Sequence, residues 1–309
     1  MKRTGNETIV RAVRAFAHAG RLLTGTQVAG RNLTVFPDDV FLTSYPRSGN
    51  TWTRFLIGNL IYQDQPVTFA NIELRIPEIY FNSDRRMRGL SRPRILKSHE
   101  CFQPQYPRII YIVRDPRDVA VSFYHHNVKA GNISDDYPME AFIPRFIAAE
   151  FDTKWGSWSD NVLSWLSLRQ NHPGFILLRY ESMKASPVQE LMRVSAFLEQ
   201  HSFRKIDSSP EKLQRAVDLS SSERMRSLEK AESANWVLTK STRLDKPFVR
   251  TAKAGGWKST LSSESVASIE SAWGPLMKSL GYEVGGALSS PAQPQALATT
   301  SAEAGARNE

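Results

Sequence analysis

A chain of 309 residues with 41% hydrophobic content can build one large α/β domain or two small ones, which excludes disorder over its whole length. No run of about 18 apolar residues occurs, so no transmembrane helix is expected; the lone cysteine, Cys101, excludes an internal disulfide, makes a poor metal site and fits a reducing, cytoplasmic setting. The formal charge of +9 suits nucleic acid, anionic lipid or a small polyanion and does not choose among them.

Residues 1–30 read as a basic N-terminal segment. Arg11, Arg14 and Arg21 stand among Val10, Val13, Phe16, Leu22 and Leu23 without the apolar core of a secretory signal, so an ordinary surface helix is expected. The folded domain should span residues 31–284. Val40–Ser44 reads as a buried strand, and after a short turn Trp52, Phe55, Leu56, Asn59 and Leu60 recur at helical spacing. A second basic cluster follows at Arg85, Arg86, Arg88, Arg92, Arg94 and Lys97. Ile95 and Leu96 form the middle of a second strand. Ile109–Val113 is apolar on both faces, as a central parallel strand should be. Asp115 and Pro116 supply an N-cap and a proline at the first helical position. Trp158, Val162, Trp165 and Leu166 predict a helix with an aromatic stripe on the core. Phe175–Leu178 is a fourth strand, and Ser186-Pro187 caps a helix with Val188, Leu191, Met192 and Ser195 on one face. Strand, turn and helix repeat, which predicts a single α/β domain: a central, mostly parallel sheet flanked by helices, with a P-loop-like strand-loop-helix. Residues 285–309 are rich in Ala, Ser, Thr, Pro and Gln and read as a disordered tail.

Two segments carry chemistry. Tyr45-Pro46-Arg47-Ser48-Gly49-Asn50-Thr51-Trp52 joins the first strand to its helix. A strand-to-helix turn gathers free backbone N–H groups and the positive end of a helix dipole, which makes an anion site. Gly49 allows close backbone approach, Ser48, Asn50 and Thr51 add short donors, and Arg47 adds a charged fork. It is not a Walker A loop: it lacks the lysine at the helix start, and Arg114 stands where a magnesium-holding aspartate is expected. Arg114 to Ser122 repeats the arrangement at the third strand end. Two anion-binding strand ends in one sheet point to a ligand with two separated phosphate-like groups.

These two segments closely resemble the cytosolic sulfotransferase family. Three further stretches agree: Leu96-Lys97-Ser98-His99, Leu178-Arg179-Tyr180-Glu181-Ser182-Met183-Lys184, and Arg250 to Lys258 with its Gly255-Gly256-Trp257-Lys258 ending. The resemblance covers about residues 36–281. It implies transfer of a sulfuryl group from 3′-phosphoadenosine 5′-phosphosulfate (PAPS) to a small-molecule acceptor, with 3′,5′-adenosine bisphosphate as product and no metal. It further implies that Arg47, Ser48, Gly49, Asn50, Thr51 and Trp52 hold the 5′-phosphosulfate, Trp52 also stacking on adenine. Arg114, Ser122 and Arg250 meet the 3′-phosphate, Tyr180 and Ser221 contact the nucleotide, and His99 is the general base with Lys97 beside it.

Four departures stand out. Arg47 replaces the family's lysine, which keeps charge but offers a poor proton donor. The usual Arg-Lys-Gly is Arg250-Thr251-Ala252, and Ser222 stands where a phenylalanine is frequent. No match to the family's short dimer motif is found, so oligomeric state stays open. The altered loop motivates a second reading, a catalytically weak nucleotide-binding module of the same fold. A small-molecule P-loop kinase fits less well without its lysine and aspartate. A nucleic-acid-binding protein is not expected, because the basic clusters lack interleaved aromatics. His125 and His126 are expected to pack near the pocket, Cys101 to be an inert thiol at its rim, and Glu100 is a poor second candidate for the base. An apolar acceptor pocket is expected from Phe69, Ile72, Ile76, Ile79, Tyr80 and Phe81, with residues 124–137 and 236–248.

Overall fold

The computed structural model describes residues 27–201, 205–232, 236, 239–240, 242–250 and 252–285. The basic segment up to residue 26, the tail from 286 and Thr251 lie outside them. The strands are β1 (Val40–Ser44), β2 (Ile95–Ser98), β3 (Arg108–Val113) and β4 (Phe175–Arg179). They form one four-stranded sheet of order β2-β1-β3-β4, every pairing parallel.

Successive strand residues point to opposite faces, and the two cores follow that period. Phe41, Ile109, Tyr111 and Val113 face one core, with Trp158, Trp165 and Trp273. Val40, Leu42, Ile110 and Ile112 face the other, with Leu56, Leu60, Val194 and Leu198. Helices cover both faces: α1 (Asn50–Ile61), α4 (Pro116–Ala130), α6 (Trp158–Arg169), α7 (Tyr180–Ala185), α8 (Pro187–Gln200), α9 (Pro210–Leu219), α10 (Ser222–Glu232) and α11 (Ser263–Ser279), with short α2 (Ile72–Arg75) and α3 (Asp84–Arg88) and the aromatic α5 (Met139–Ile147). Each fully buried Trp or Leu side chain contributes about 2 kcal/mol of hydrophobic burial.

Local chemistry sets the boundaries. Asp115 accepts a hydrogen bond from the Arg117 amide at 2.9 Å, and Pro116 opens α4. α6 begins with a capping box between Ser157 and Asp160 and buries Trp158, Val162 and Trp165 completely, so its aromatic stripe belongs to the core. α8 differs from expectation. Ser186 makes no side-chain cap, and Met192 is exposed, because the buried face runs through Leu191, Val194, Ser195 and Leu198.

The second basic cluster is mostly neutralised within the chain. Arg88 pairs with Asp84, Arg92 with Asp38, Arg94 with Asp39 and Lys97 with Glu78, which leaves Arg85 and Arg86 on the surface. No helix among the described residues is long and apolar enough to cross a membrane.

Candidate active site

All four strands end at one edge of the sheet, and a cavity of about 780 Å³ opens there. Arg47, Gly49, Asn50, Thr51, Trp52, Lys97, His99, Arg114, Ser122, Tyr180, Ser221 and Arg250 all line it. Ser48 does not. Its side chain is fully buried and its hydroxyl has no partner, so it is not brought to the cavity wall as a donor.

The first loop is built for close packing. Gly49 precedes α1 with φ +98, and a Cβ there would lie 2.5 Å from the Tyr180 ring. The missing side chain therefore makes room for an aromatic wall, and the left-handed backbone suits glycine. Arg47 also adopts a positive φ of 68, strained for a residue with a side chain. The first amides of α1 have no carbonyl one turn earlier and face the cavity mouth with the positive end of the helix.

Three arginines converge beside this loop. Arg47 donates from Nε to the Ser122 hydroxyl at 3.2 Å and lies 4.7 Å from the Phe248 ring. Arg114 donates to the Arg47 carbonyl and to the Lys253 carbonyl, lies 4.2 Å over the Tyr180 ring, and keeps a buried Nε without a partner. Burial, followed by the charges of Arg114 and Arg250, pushes the Arg47 guanidinium down to about 10. Burial and Arg114 lower Arg250 as well. Arg114, just ahead of α4, also meets Asp118 of its first turn at 3.8 Å. Three cations held this close, with Asp118 matching only Arg114, favour a multiply charged anion.

At one end of the cavity, the Trp52 and Tyr180 rings meet edge to face at 5.6 Å, and Lys184 Nζ sits 4.8 Å from Trp52. Trp52 Nε1 donates to the Ser220 carbonyl at 3.0 Å, and the Ser221 hydroxyl accepts from the Arg224 amide at 3.3 Å. The neighbouring Ser222 also lines the cavity, its hydroxyl donating to Glu223 at 2.9 Å.

At the other end is His99. Its Nδ1 lies 2.7 Å from the Ser44 carbonyl. A carbonyl only accepts, so Nδ1 carries the proton and Nε2 keeps a lone pair. Burial, then the Lys97 charge, holds the imidazole well below its usual range. Lys97 is itself buried and donates to Glu78 at 2.5 Å; burial lowers it.

Several positioning residues carried no sequence signal. Asp118 accepts from the Gly255 and Trp257 amides at 2.7 and 3.0 Å, and Arg117 stacks on Trp257 at 3.9 Å. Glu229 accepts from the Phe248 and Val249 amides. These contacts fix the loop from Phe248 to Lys258 across the cavity. Asp118 could have been suspected as a charge in the Arg114–Ser122 run; Glu229 sits in an ordinary helical pattern. Within the loop, Ala252 takes a φ of 50.

The expected acceptor wall needs correction. Phe69, Ile72, Ile76 and Ile79 are sealed in the cores, and of that run Tyr80 and Phe81 reach the cavity. Helix α2 and its flanks turn the first four inward, onto Phe55 and Trp236 or the sheet. The ring-bearing lining of this part of the cavity is Tyr80, Phe81, His126 and Phe248, all within the expected segments, together with Phe123 and Trp155. Glu100 lies fully buried against Arg31 and Tyr80, away from the cavity. Cys101 is half-buried, donates to the Trp155 carbonyl, and burial pushes its thiol up.

A family model described as the sulfotransferase domain matches residues 37–281. The chain belongs to the sulfotransferase family. Its enzyme class is that of a PAPS-dependent sulfotransferase. Sulfotransferase 1A1 of Mus musculus is 28% identical over 266 residues, covering 80% of this chain and 87% of the mouse protein. Sulfotransferase 1A1 of Canis lupus familiaris is 32% identical over 178 residues, covering 52% of this chain and 59% of the dog protein. Among solved structures, mouse sulfotransferase SULT7A1 complexed with PAP superposes with a TM-score of 0.64 at 24% identity, covering 81% of this chain and 87% of that one. Retinol dehydratase in complex with androsterone and PAP gives a TM-score of 0.65 at 20% identity, covering 81% and 83%. These structural likenesses concern the fold.

Proposed function

We propose that the protein transfers the sulfuryl group of PAPS to a hydroxyl or amine of a small, largely apolar acceptor, with His99 as general base. The observation that carries this is the Nδ1 hydrogen bond of His99 to Ser44. It leaves the Nε2 lone pair beside a cavity that begins at an anion-binding loop. The acceptor oxygen or nitrogen attacks sulfur in line, and its proton passes to His99 Nε2 as the new bond forms. The bond from sulfur to the bridging phosphate oxygen breaks, and 3′,5′-adenosine bisphosphate leaves. Arg47, Lys97 and the first amides of α1 stabilise the charge that grows on that oxygen. Most remaining rate enhancement is positioning.

The same reading assigns Arg114, Ser122 and Arg250 to the 3′-phosphate, and Trp52, Tyr180 and Ser221 to the nucleoside. Arg114 supports it with a buried, unpartnered Nε at the cavity wall. The aromatic wall supports an apolar acceptor, as does the binding of androsterone and retinol by retinol dehydratase. A soluble, cytoplasmic setting completes the reading.

Calorimetric titration tests it. Tight binding of 3′,5′-adenosine bisphosphate with none of ATP and magnesium is expected. His99→Ala should lose at least about a hundredfold in kcat while binding the bisphosphate as before. Retained turnover would remove His99 as the base, and binding of ATP alone would put a kinase in place of the transferase.

A further inference from the structure

The cavity holds a second imidazole, His126, which the chemistry above does not use. It lies on α4 one turn beyond Ser122, lines the cavity, and packs with its ring 6.3 Å from Phe123. Its two nitrogens have different surroundings. Nδ1 is buried without a hydrogen-bond partner among the described residues, whereas Nε2, on a ring that lines the cavity, makes no hydrogen bond to any described residue. A proton on Nδ1 would leave a buried N–H with nothing to receive it, the rarest kind of unpaired group. A proton on Nε2 leaves only a lone pair unpaired and gives the cavity a donor. Burial, then the charges of Arg47, Lys97 and Lys129, pushes the ring down to about 3, so it remains neutral. His99 is the opposite tautomer, with its proton on Nδ1 and an accepting Nε2.

We infer that His126 donates from Nε2 to an oxygen of the acceptor, and that the preferred acceptors carry a hydrogen-bond-accepting oxygen, such as a carbonyl or ether, besides the nucleophilic hydroxyl. The two imidazoles then read the two ends of the acceptor, one taking its proton and the other holding its second oxygen. This rests on the sulfotransferase reading, and it gives a role to an imidazole that stands beside Phe81, Phe123, Trp155 and Phe248 in the cavity lining.

The test compares 3- and 4-hydroxyacetophenone with 3- and 4-ethylphenol, which match in shape and differ in the carbonyl. In the unaltered protein with 3′,5′-adenosine bisphosphate present, calorimetry should show a preference for a ketone. His126→Phe should shrink that preference by about tenfold, the factor one hydrogen bond supplies. His126→Gln, which keeps an N–H, should restore part of it. The ratio of kcat/KM with PAPS should move in parallel. Imidazole ¹⁵N spectra should show His126 protonated at Nε2. An unchanged ketone preference in His126→Phe, or an Nδ1-protonated ring, would overturn the inference. Acceptor affinity and the ¹⁵N spectrum need no turnover, so they decide the matter even if sulfuryl transfer itself fails.

Discussion

His99 and Lys97 lie two residues apart on one strand end, and their environments push both toward the neutral form by burial. For His99 the sign is simple. A folded value below the ordinary one keeps the base form present through neutrality and loses it only as pH falls through that lowered value. The acid limb of kcat/KM should therefore lie clearly below pH ~6.5, and a limb at or above that value would contradict the assignment. Lys97 needs its carboxylate. Glu78→Gln should leave a buried ammonium unpaired, cost about 3 kcal/mol and lower Tm by several degrees, with kcat falling as Lys97 loses charge. Thermal unfolding measured beside turnover checks both. The roles proposed for His99 and Lys97 follow from the resemblance of a four-residue run, Leu96 to His99, but Glu78 carried no such mark. It lies nineteen positions away in an irregular segment, and only the fold places it beneath Lys97.

At the scale of elements, the strand ends and their helices were legible because period-2 and helical patterns are local. β1, β3 and β4 and the opening of α4 at Asp115-Pro116 stand where hydrophobic runs and capping chemistry put them. The apolar side of the cavity was legible only in part: Tyr80, Phe81, His126 and Phe248 fall in the expected segments and line it, and the rest of the first run does not. Phe69, Ile72, Ile76 and Ile79 are as apolar as any lining residue, and apolarity alone does not say whether a side chain faces a cavity or a core. The C-terminal loop lies between these cases. Its departure from the family pattern was visible as Thr251-Ala252, while its anchors, Asp118 and Glu229, came only with tertiary contacts. Ala252 holds a left-handed conformation that costs a residue with a Cβ about 1 kcal/mol. Ala252→Gly should recover most of that and tighten 3′,5′-adenosine bisphosphate binding several-fold; weaker binding in calorimetry would show that the stiffer alanine orders the loop. Asp118→Asn should act the other way, loosening the Gly255 and Trp257 amides and raising Kd by about tenfold.

For the whole molecule, the sheet gathers four strand ends onto one edge, and Arg47, Arg114 and Arg250 meet there in a partly buried form. Arg88 and Arg92 on the surface are matched by Asp84 and Asp38, and Arg94 is matched by Asp39 in the interior. Arg114→Ala should weaken the 3′-phosphorylated nucleotide far more than adenosine 5′-phosphate; equal losses would make Arg114 a structural residue.

Arg47, Arg114 and Arg250 also have a consequence for handling the protein. Without nucleotide, three guanidinium groups share one mouth with Asp118 nearby, and small divalent anions from the medium will compensate them. Phosphate and sulfate buffers should therefore compete with PAPS, raising its apparent KM in proportion to their concentration, while a zwitterionic buffer of equal ionic strength should not. The enzyme's measured affinity will then depend on the medium chosen for the assay.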